Sequence, residues 1–270
     1  MKQLASFVDS FHPSFVSKLH KSLYGLKQVP HAWYIALRQS LLQLGFKNSA
    51  LDCSLFIYNF DGITIDVLVY VDDLILTGNN QTHLHQLVHQ LGVECSLKEL
   101  QPLHYFLGIE VILTTEGLFL TQQKYVQDLL DRTCMDGAKY MTTPLSTSVK
   151  LHLGDGSPPV DCTEFRRIIS ALQYLSFTRP NISFAVNKLA QFMHNPSSIH
   201  WQATKSLLRY LTHIVQHSIL LQQSSPIQLR AFLYADWVGN QDDRTSTTAY
   251  LLFLGSNFIS WRTREQKAVA

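Results

Sequence analysis

ITIDVLVYVDDLILTG, residues 63–78, reads as two apolar strands joined by an acidic turn. Alternation sends Ile63, Ile65, Val67 and Val69 to one face of the first strand, and Leu74, Ile75 and Leu76 begin the second. Two residues, Asp72-Asp73, are left for the turn. Hairpin turns accept Asp, so a plain polar turn is one reading. Two adjacent carboxylates about 4 Å apart, however, repel by roughly 4 kcal/mol at an effective dielectric of 20, which favours a bound cation. Magnesium is the natural candidate for two hard oxygen donors.

Upstream, Trp33, Leu37, Leu41 and Leu44 recur at helical spacing, and Gly45 ends the pattern. Before that helix lies SLYGLKQVP, residues 22–30, with Lys18, Lys21 and Lys27 around Gly25. A glycine there lets a backbone approach a nucleotide closely, and it equally suits an ordinary turn with solvated lysines. Downstream, residues 82–91 read as a helix whose His83, His85 and His89 do not share one face, so they form a solvated surface and not a metal site. Residues 103–113 read as a strand, residues 115–117 as a turn and residues 118–121 as the returning strand. Thr121 then caps a helix carrying Tyr125, Val126, Leu129 and Leu130.

Residues 141–161 are rich in Thr, Ser, Gly and Pro and read as a linker. Three short helices follow, the first capped by Thr163, the second restarting at Pro180 and the third after Pro196-Ser197-Ser198. Arg166, Arg167, Arg179, Lys188, Lys205 and Arg209 lie along them, a distribution that suits phosphate contacts or ordinary solvated faces. From Gln228 the pattern returns to strands: residues 229–233, 247–254 and 258–261, the last two joined across Gly255-Ser256-Asn257.

With 270 residues there is length for about two domains. A hydrophobic share of 46% and a charged share of 16% fit a globular protein. No apolar run reaches the roughly 18 residues of a membrane span, and no secretory or transit signal is evident, so a cytoplasmic or nuclear site is expected. Cys53, Cys95, Cys134 and Cys162 are too scattered for zinc or a disulfide framework. The net charge of +2 does not by itself select a nucleic-acid partner.

Taken together, SLYGLKQVPHAWY, LVYVDDLILTG about 40 residues later, and LHYFLGIEV resemble the reverse transcriptase of copia-type long-terminal-repeat retrotransposons. The likeness continues through GLFLTQQKYVQDLL, the segment ending in KSLLRYL, and ADWVGNQDDRTSTTAYLLFLGSNFISW. It covers nearly the whole chain from about Phe15. It implies an α+β fold: a partial right-hand polymerase palm, with an antiparallel sheet and helices, over residues 1–146. A linker and helical thumb or connection region over residues 147–227 would follow, and then a truncated RNase H-like sheet over residues 228–270. It implies RNA-directed DNA polymerase chemistry, nucleotidyl transfer by two metal ions. Asp72 and Asp73 would be the catalytic carboxylates and magnesium ligands. Tyr70, Val71, Gly25, Lys27 and Gln28 would contact nucleotide and template, and Tyr105, Phe106, Leu107 and Gly108 would form the primer grip. Partners would be an RNA template with a DNA primer, an RNA–DNA hybrid, and deoxynucleotides, with no membrane.

The sequence departs from the family pattern in three places. His31 stands where Arg is usual, removing a permanent phosphate-binding charge. Tyr234 occupies the position of the first RNase H carboxylate, ahead of Ala235-Asp236-Trp237, and Asp236, Asp242 and Asp243 are left with turn or surface roles. Met1 falls just after the palm strand that supplies a further catalytic Asp, and Asp9 sits in an irregular segment. The expectation is a reverse transcriptase domain that does not polymerise by itself. The alternatives are a non-catalytic nucleic-acid-binding remnant and, least favoured, an RNase H-type nuclease. A three-strand sheet without covering helices should be unstable or dock onto the preceding helices.

Overall fold

A computed structural model describes residues 8–16, 28–71, 73–94, 101–146, 150–236, 239–240 and 242–266. It is an α+β protein with six α-helices among the described residues and three sheets in which every pairing is antiparallel. The chain forms two compact units, Met1–Leu103 and His104–Ala270.

In the first unit, α1 (Val29–Gln43) leads into a sheet of β1 (Lys47–Asn48), β2 (Leu55–Phe60), β3 (Ile63–Tyr70) and β4 (Asp73–Gly78), paired in that order, and α2 (Gln81–Glu94) follows. Pro30 occupies the first turn of α1, where its missing N–H costs nothing. The helix buries Leu37 and Leu41 completely, with Trp33 and Leu44 packed beside them, as the spacing predicts. They meet Phe56, Ile65, Val67 and Val69 from the sheet and Leu87 and Leu91 from α2, so both helices cover one sheet face. Asp61-Gly62, with φ of 49° and 73°, forms the β2–β3 turn; this is the Asp-Gly hairpin signal. Asn79 ties that turn to the end of β4, accepting from the Thr64 N–H at 3.0 Å and donating to the Gly62 carbonyl at 2.8 Å. Asn80 then caps α2 by accepting from His83 N–H at 3.1 Å.

The central hairpin differs from its sequence reading by one residue. Tyr70 pairs directly with Asp73, so Asp73 opens β4 and does not belong to the turn, of which Val71 is the described residue. Val71 makes this possible by adopting φ of 52°, a conformation that β-branched residues rarely take.

In the second unit, residues 103–113 do not form one strand. Leu107 and Gly108, with φ of 48° and 74°, fold them into a tight hairpin of β5 (Tyr105–Phe106) and β6 (Ile109–Leu113). β7 (Gly117–Thr121) extends the meander, and β8 (Ile219–Gln222), absent from the sequence reading, joins the free side of β7 about 100 residues later. Between them lie α3 (Gln123–Arg132), α4 (Cys162–Leu175), a single 3₁₀ turn at Pro180–Ile182, α5 (Ser183–Ala190) and α6 (Ser198–His213). Their apolar faces meet in one core that includes Val126, Phe165, Leu172, Leu189 and Leu211. The cap of α4 is Asp161, not Thr163: its carboxylate accepts from the Thr163 N–H at 2.8 Å.

The Thr/Ser/Gly/Pro-rich stretch 141–161 has no helix or strand among its described residues, yet it lies inside the second unit and is strapped to α6. Ser197 donates to Asp155 at 2.6 Å, Ser198 N–H to the Pro158 carbonyl at 2.8 Å, and Leu145 and Leu151 pack on the helical core. The last sheet, ordered β11 (Asn257–Gln266), β10 (Ser246–Leu254) and β9 (Leu229–Ala235), docks through β11. Trp261 donates to the Ser176 carbonyl at 2.8 Å, Asn187 donates to the Thr263 carbonyl, and Asn257 exchanges two hydrogen bonds with the backbone of Gln222. β11 thus lies against α5 and β8.

Candidate functional site

Period-two geometry decides what the acidic hairpin presents. Ile65, Val67 and Val69 point into the core, so Asp66, Leu68 and Tyr70 point the other way, joined by their cross-strand partners Thr77, Ile75 and Asp73. None of these six is buried. At the tip, Tyr70, Val71 and Asp73 are exposed, Tyr70 by 49% and Val71 by 57%. Asp72 lies outside the described residues, as do Gly25 and Lys27. Gln28 is exposed at the N-terminal boundary of α1, and its side chain makes no capping bond.

One further carboxylate shares the tip's face, Asp66. It stands four residues before Tyr70 on the same strand, about 13 Å from the tip at the rise of a strand. Ions of a two-metal site sit about 3.5–4 Å apart, so Asp66 cannot share a metal with the turn. Asp9 is engaged locally, accepting from the N–H of Phe11 at 2.8 Å and that of His12 at 3.3 Å. Among the described residues no group of three His, Cys, Asp or Glu is placed to hold a metal. Asp73, exposed at the start of β4, and its sequence neighbour Asp72 are nevertheless the donor type that magnesium takes, one or two carboxylates with water on the remaining positions.

The second cluster of sequence-predicted residues is the Tyr105–Gly108 hairpin, built in the other unit. Tyr105 is 67% exposed and Leu107 39%. The Leu107 carbonyl, which the tight turn leaves without an internal partner, accepts the hydroxyl proton of Tyr174 from α4. Tyr174 packs edge-to-face on Tyr125 of α3, centroids 4.9 Å apart, and on Phe177, 6.2 Å away. Burial, with Tyr105 and Tyr125 nearby, raises the Tyr174 phenol above its ordinary range. Sequence reading missed Tyr174; the period of α4 marks its buried face but not the turn it touches.

In the last sheet Tyr234 is 61% exposed on β9, and the carboxylates near it act as turn anchors. Asp236 accepts from the Thr247 N–H, Asp242 from Leu153 N–H at 2.9 Å, and Asp243 from Thr245, whose bonds lower its pKa.

No helix among the described residues is long and apolar enough to cross a membrane. The reverse transcriptase (RNA-dependent DNA polymerase) family model matches residues 1–147. The chain is 48% identical over 269 residues to the retrovirus-related Pol polyprotein from transposon RE1 of Arabidopsis thaliana, covering all of this chain and 18% of that protein. Over 280 residues it is 32% identical to the Pol polyprotein from transposon TNT 1-94 of Nicotiana tabacum, spanning 21% of it. It is also 41% identical over 204 residues, 76% of this chain, to an uncharacterized mitochondrial protein of Arabidopsis thaliana, of which 85% is covered. No solved structure matches. The chain thus spans about a fifth of the Pol polyproteins it matches end to end. An acidic hairpin of this register, a family match across more than half the chain and near-half identity along all of it have one common explanation: the protein belongs to the reverse transcriptase family of copia-type retrotransposon Pol polyproteins.

Proposed function

We propose that this chain serves RNA-directed DNA synthesis, with Asp72 and Asp73 holding magnesium at the β3–β4 turn. Support comes chiefly from the register that sets Tyr70 opposite an exposed Asp73, the residue that follows Asp72 directly in the sequence. When bound, the metal lowers the pKa of a primer 3′-hydroxyl and neutralises charge on the phosphates. Tyr70 and Val71 flank that position, Gly25, Lys27 and Gln28 lie beneath template and incoming deoxynucleotide, and Tyr105 to Gly108 hold the primer end. Residues 1–146 act as palm, 147–227 as thumb or connection, and 228–270 as an RNase H-like sheet without nuclease activity. The working compartment is the cytoplasm or nucleus.

Asp66, at about 13 Å, cannot supply the third carboxylate of a two-ion site. The chain alone therefore binds primer–template without extending it. A purely nucleic-acid-binding role is the second reading, favoured by the exposed Tyr105 and Phe177, each 67% accessible, beside the second hairpin. Primer extension on an RNA template with magnesium separates the readings from a complete enzyme. The expected result is salt-dependent binding of an RNA–DNA hybrid and no extended product. Extension that disappears in Asp72→Asn would establish a complete polymerase, whereas absence of hybrid binding would remove both readings.

A further inference from the structure

We infer that Tyr174, on α4, is the positioning residue that sets the Leu107–Gly108 turn for a primer terminus. The inference rests on the primer-grip reading of residues 105–108.

A two-residue turn with both φ values positive leaves the carbonyl of its first residue pointing outward, and here that residue is a leucine, disfavoured in the left-handed region. The Tyr174 hydroxyl supplies the missing donor. Gly108 is required for the approach: a Cβ built there would fall inside the Tyr174 hydroxyl. The ring is fixed in turn by edge-to-face packing on Tyr125 of α3 and on Phe177. Two helices thus determine the plane of the peptide between Leu107 and Gly108. Tyr105, Leu107 and Phe177 give the surface around it an exposed apolar and aromatic rim, beside exposed His104 and Glu110, the latter paired with Tyr105 across the hairpin. Such a rim stacks on an exposed sugar and base better than it contacts phosphates. Its aim depends on the turn, so a hydroxyl that touches no nucleic acid governs how the end of a strand is received.

The test compares a labelled DNA primer on an RNA template with a recessed 3′ end against a blunt hybrid of equal length, by anisotropy with the full 270-residue chain. Tyr174→Phe deletes the hydroxyl and keeps the ring. The recessed-over-blunt preference should fall about fivefold, the size of one net hydrogen bond, while affinity for the blunt hybrid and the thermal midpoint stay near wild type. Tyr105→Ala, an exposed control, should lose the same preference. Loss of preference in Tyr105→Ala but not in Tyr174→Phe would overturn the inference and leave the grip reading standing. Equal weakening for both hybrids with a lowered midpoint in Tyr174→Phe would assign the tyrosine to stability alone and overturn it as well. A wild-type chain that does not distinguish the two ends, or an unaffected Tyr105→Ala, would remove the grip reading and the inference with it.

Discussion

Arg179 donates from Nη1 to the Ile214 carbonyl at 2.8 Å, and so closes the C-terminus of α6 with a guanidinium that is only 1% exposed. Its Nη2 reaches the next carbonyl, Val215, also at 2.8 Å. A cation at a helix C-terminus meets the negative end of the dipole, which offsets part of the desolvation that lowers the Arg179 pKa to about 10.

Arg179→Met should strip the half-buried Val215 carbonyl of this donor and leave the Ile214 carbonyl with the His217 N–H alone, at a cost of about 1–3 kcal/mol read as a lowered urea midpoint. Arg179→Lys should recover less than half, because a single ammonium cannot span both acceptors with the geometry of a fork. A fully stable Arg179→Met would mean that the fork contributes nothing to the helical core.

Val71 gives a prediction of opposite sign. A valine at φ of 52° costs on the order of 1–3 kcal/mol, held in place by the flanking ladder. Val71→Asn, a residue that tolerates this region, should raise the stability of the chain by about 0.5–1 kcal/mol in equilibrium unfolding. Proteins tolerate such strain where geometry matters, so the same change should weaken magnesium-dependent binding of deoxynucleotide. Destabilisation by Val71→Asn would show that the valine side chain is wanted for packing.

The cap of α6 makes the second unit sensitive to acid. His200 takes the third position of a capping box: its Nδ1 accepts from the Ser197 N–H at 3.0 Å, and its ring stacks on Phe192 at 3.9 Å. Burial lowers its pKa from 6.5, with Asp155 opposing the shift. The neutral ring is thus the folded form; its stabilisation is complete above pH 6.5 and is lost as pH falls below that value. Asp155 adds a later step. Bonds from Ser157 and Ser197 hold its carboxyl at about 2, against 3.8 unfolded, so its contribution is present above about pH 4 and disappears as pH falls toward 2. Thermal midpoints should decline in two stages, and His200→Gln, which keeps the box, should abolish the first stage only.

Docking of the last sheet should depend on Trp261. Trp261→Phe keeps an aromatic ring beside Phe258 and removes the bond to Ser176. Limited proteolysis should then release residues 228–266 several-fold faster, with cleavage within α4 to α6 unchanged. Equal rates would place the docking energy in the Asn257–Gln222 pairing.

Much of the first unit was legible because its signals are local. The alternation of Ile63 to Val69 and the helical spacing of Leu37 and Leu41 need no distant partner. Asp61-Gly62 is an equally local signal for the β2–β3 hairpin. The acidic turn was displaced by one residue because the rule that keeps valine out of the left-handed region is broken there. The Leu107–Gly108 turn was hidden inside an apolar run. β8 was illegible for another reason: Ile219 to Gln222 is four residues long, and its partner lies about 100 positions away. Composition marked 141–161 as a linker, yet Asp155 finds Ser197 42 residues on and binds the stretch to α6.

The late arrival of β8 sets a clock for synthesis. β7 is translated with its outer edge open, and Leu118, Phe119 and Leu120 wait for Ile219 to Leu221. At about 5–20 residues per second, roughly 100 intervening residues correspond to about 5–20 s on the ribosome. During that interval an apolar edge is available to any neighbouring strand. The four helices encoded between the two strands can form from local contacts meanwhile, and they deliver β8 to its place. A nascent chain released before Gln222 would therefore leave its meander permanently open and prone to aggregate, although the acidic hairpin made much earlier would already be folded.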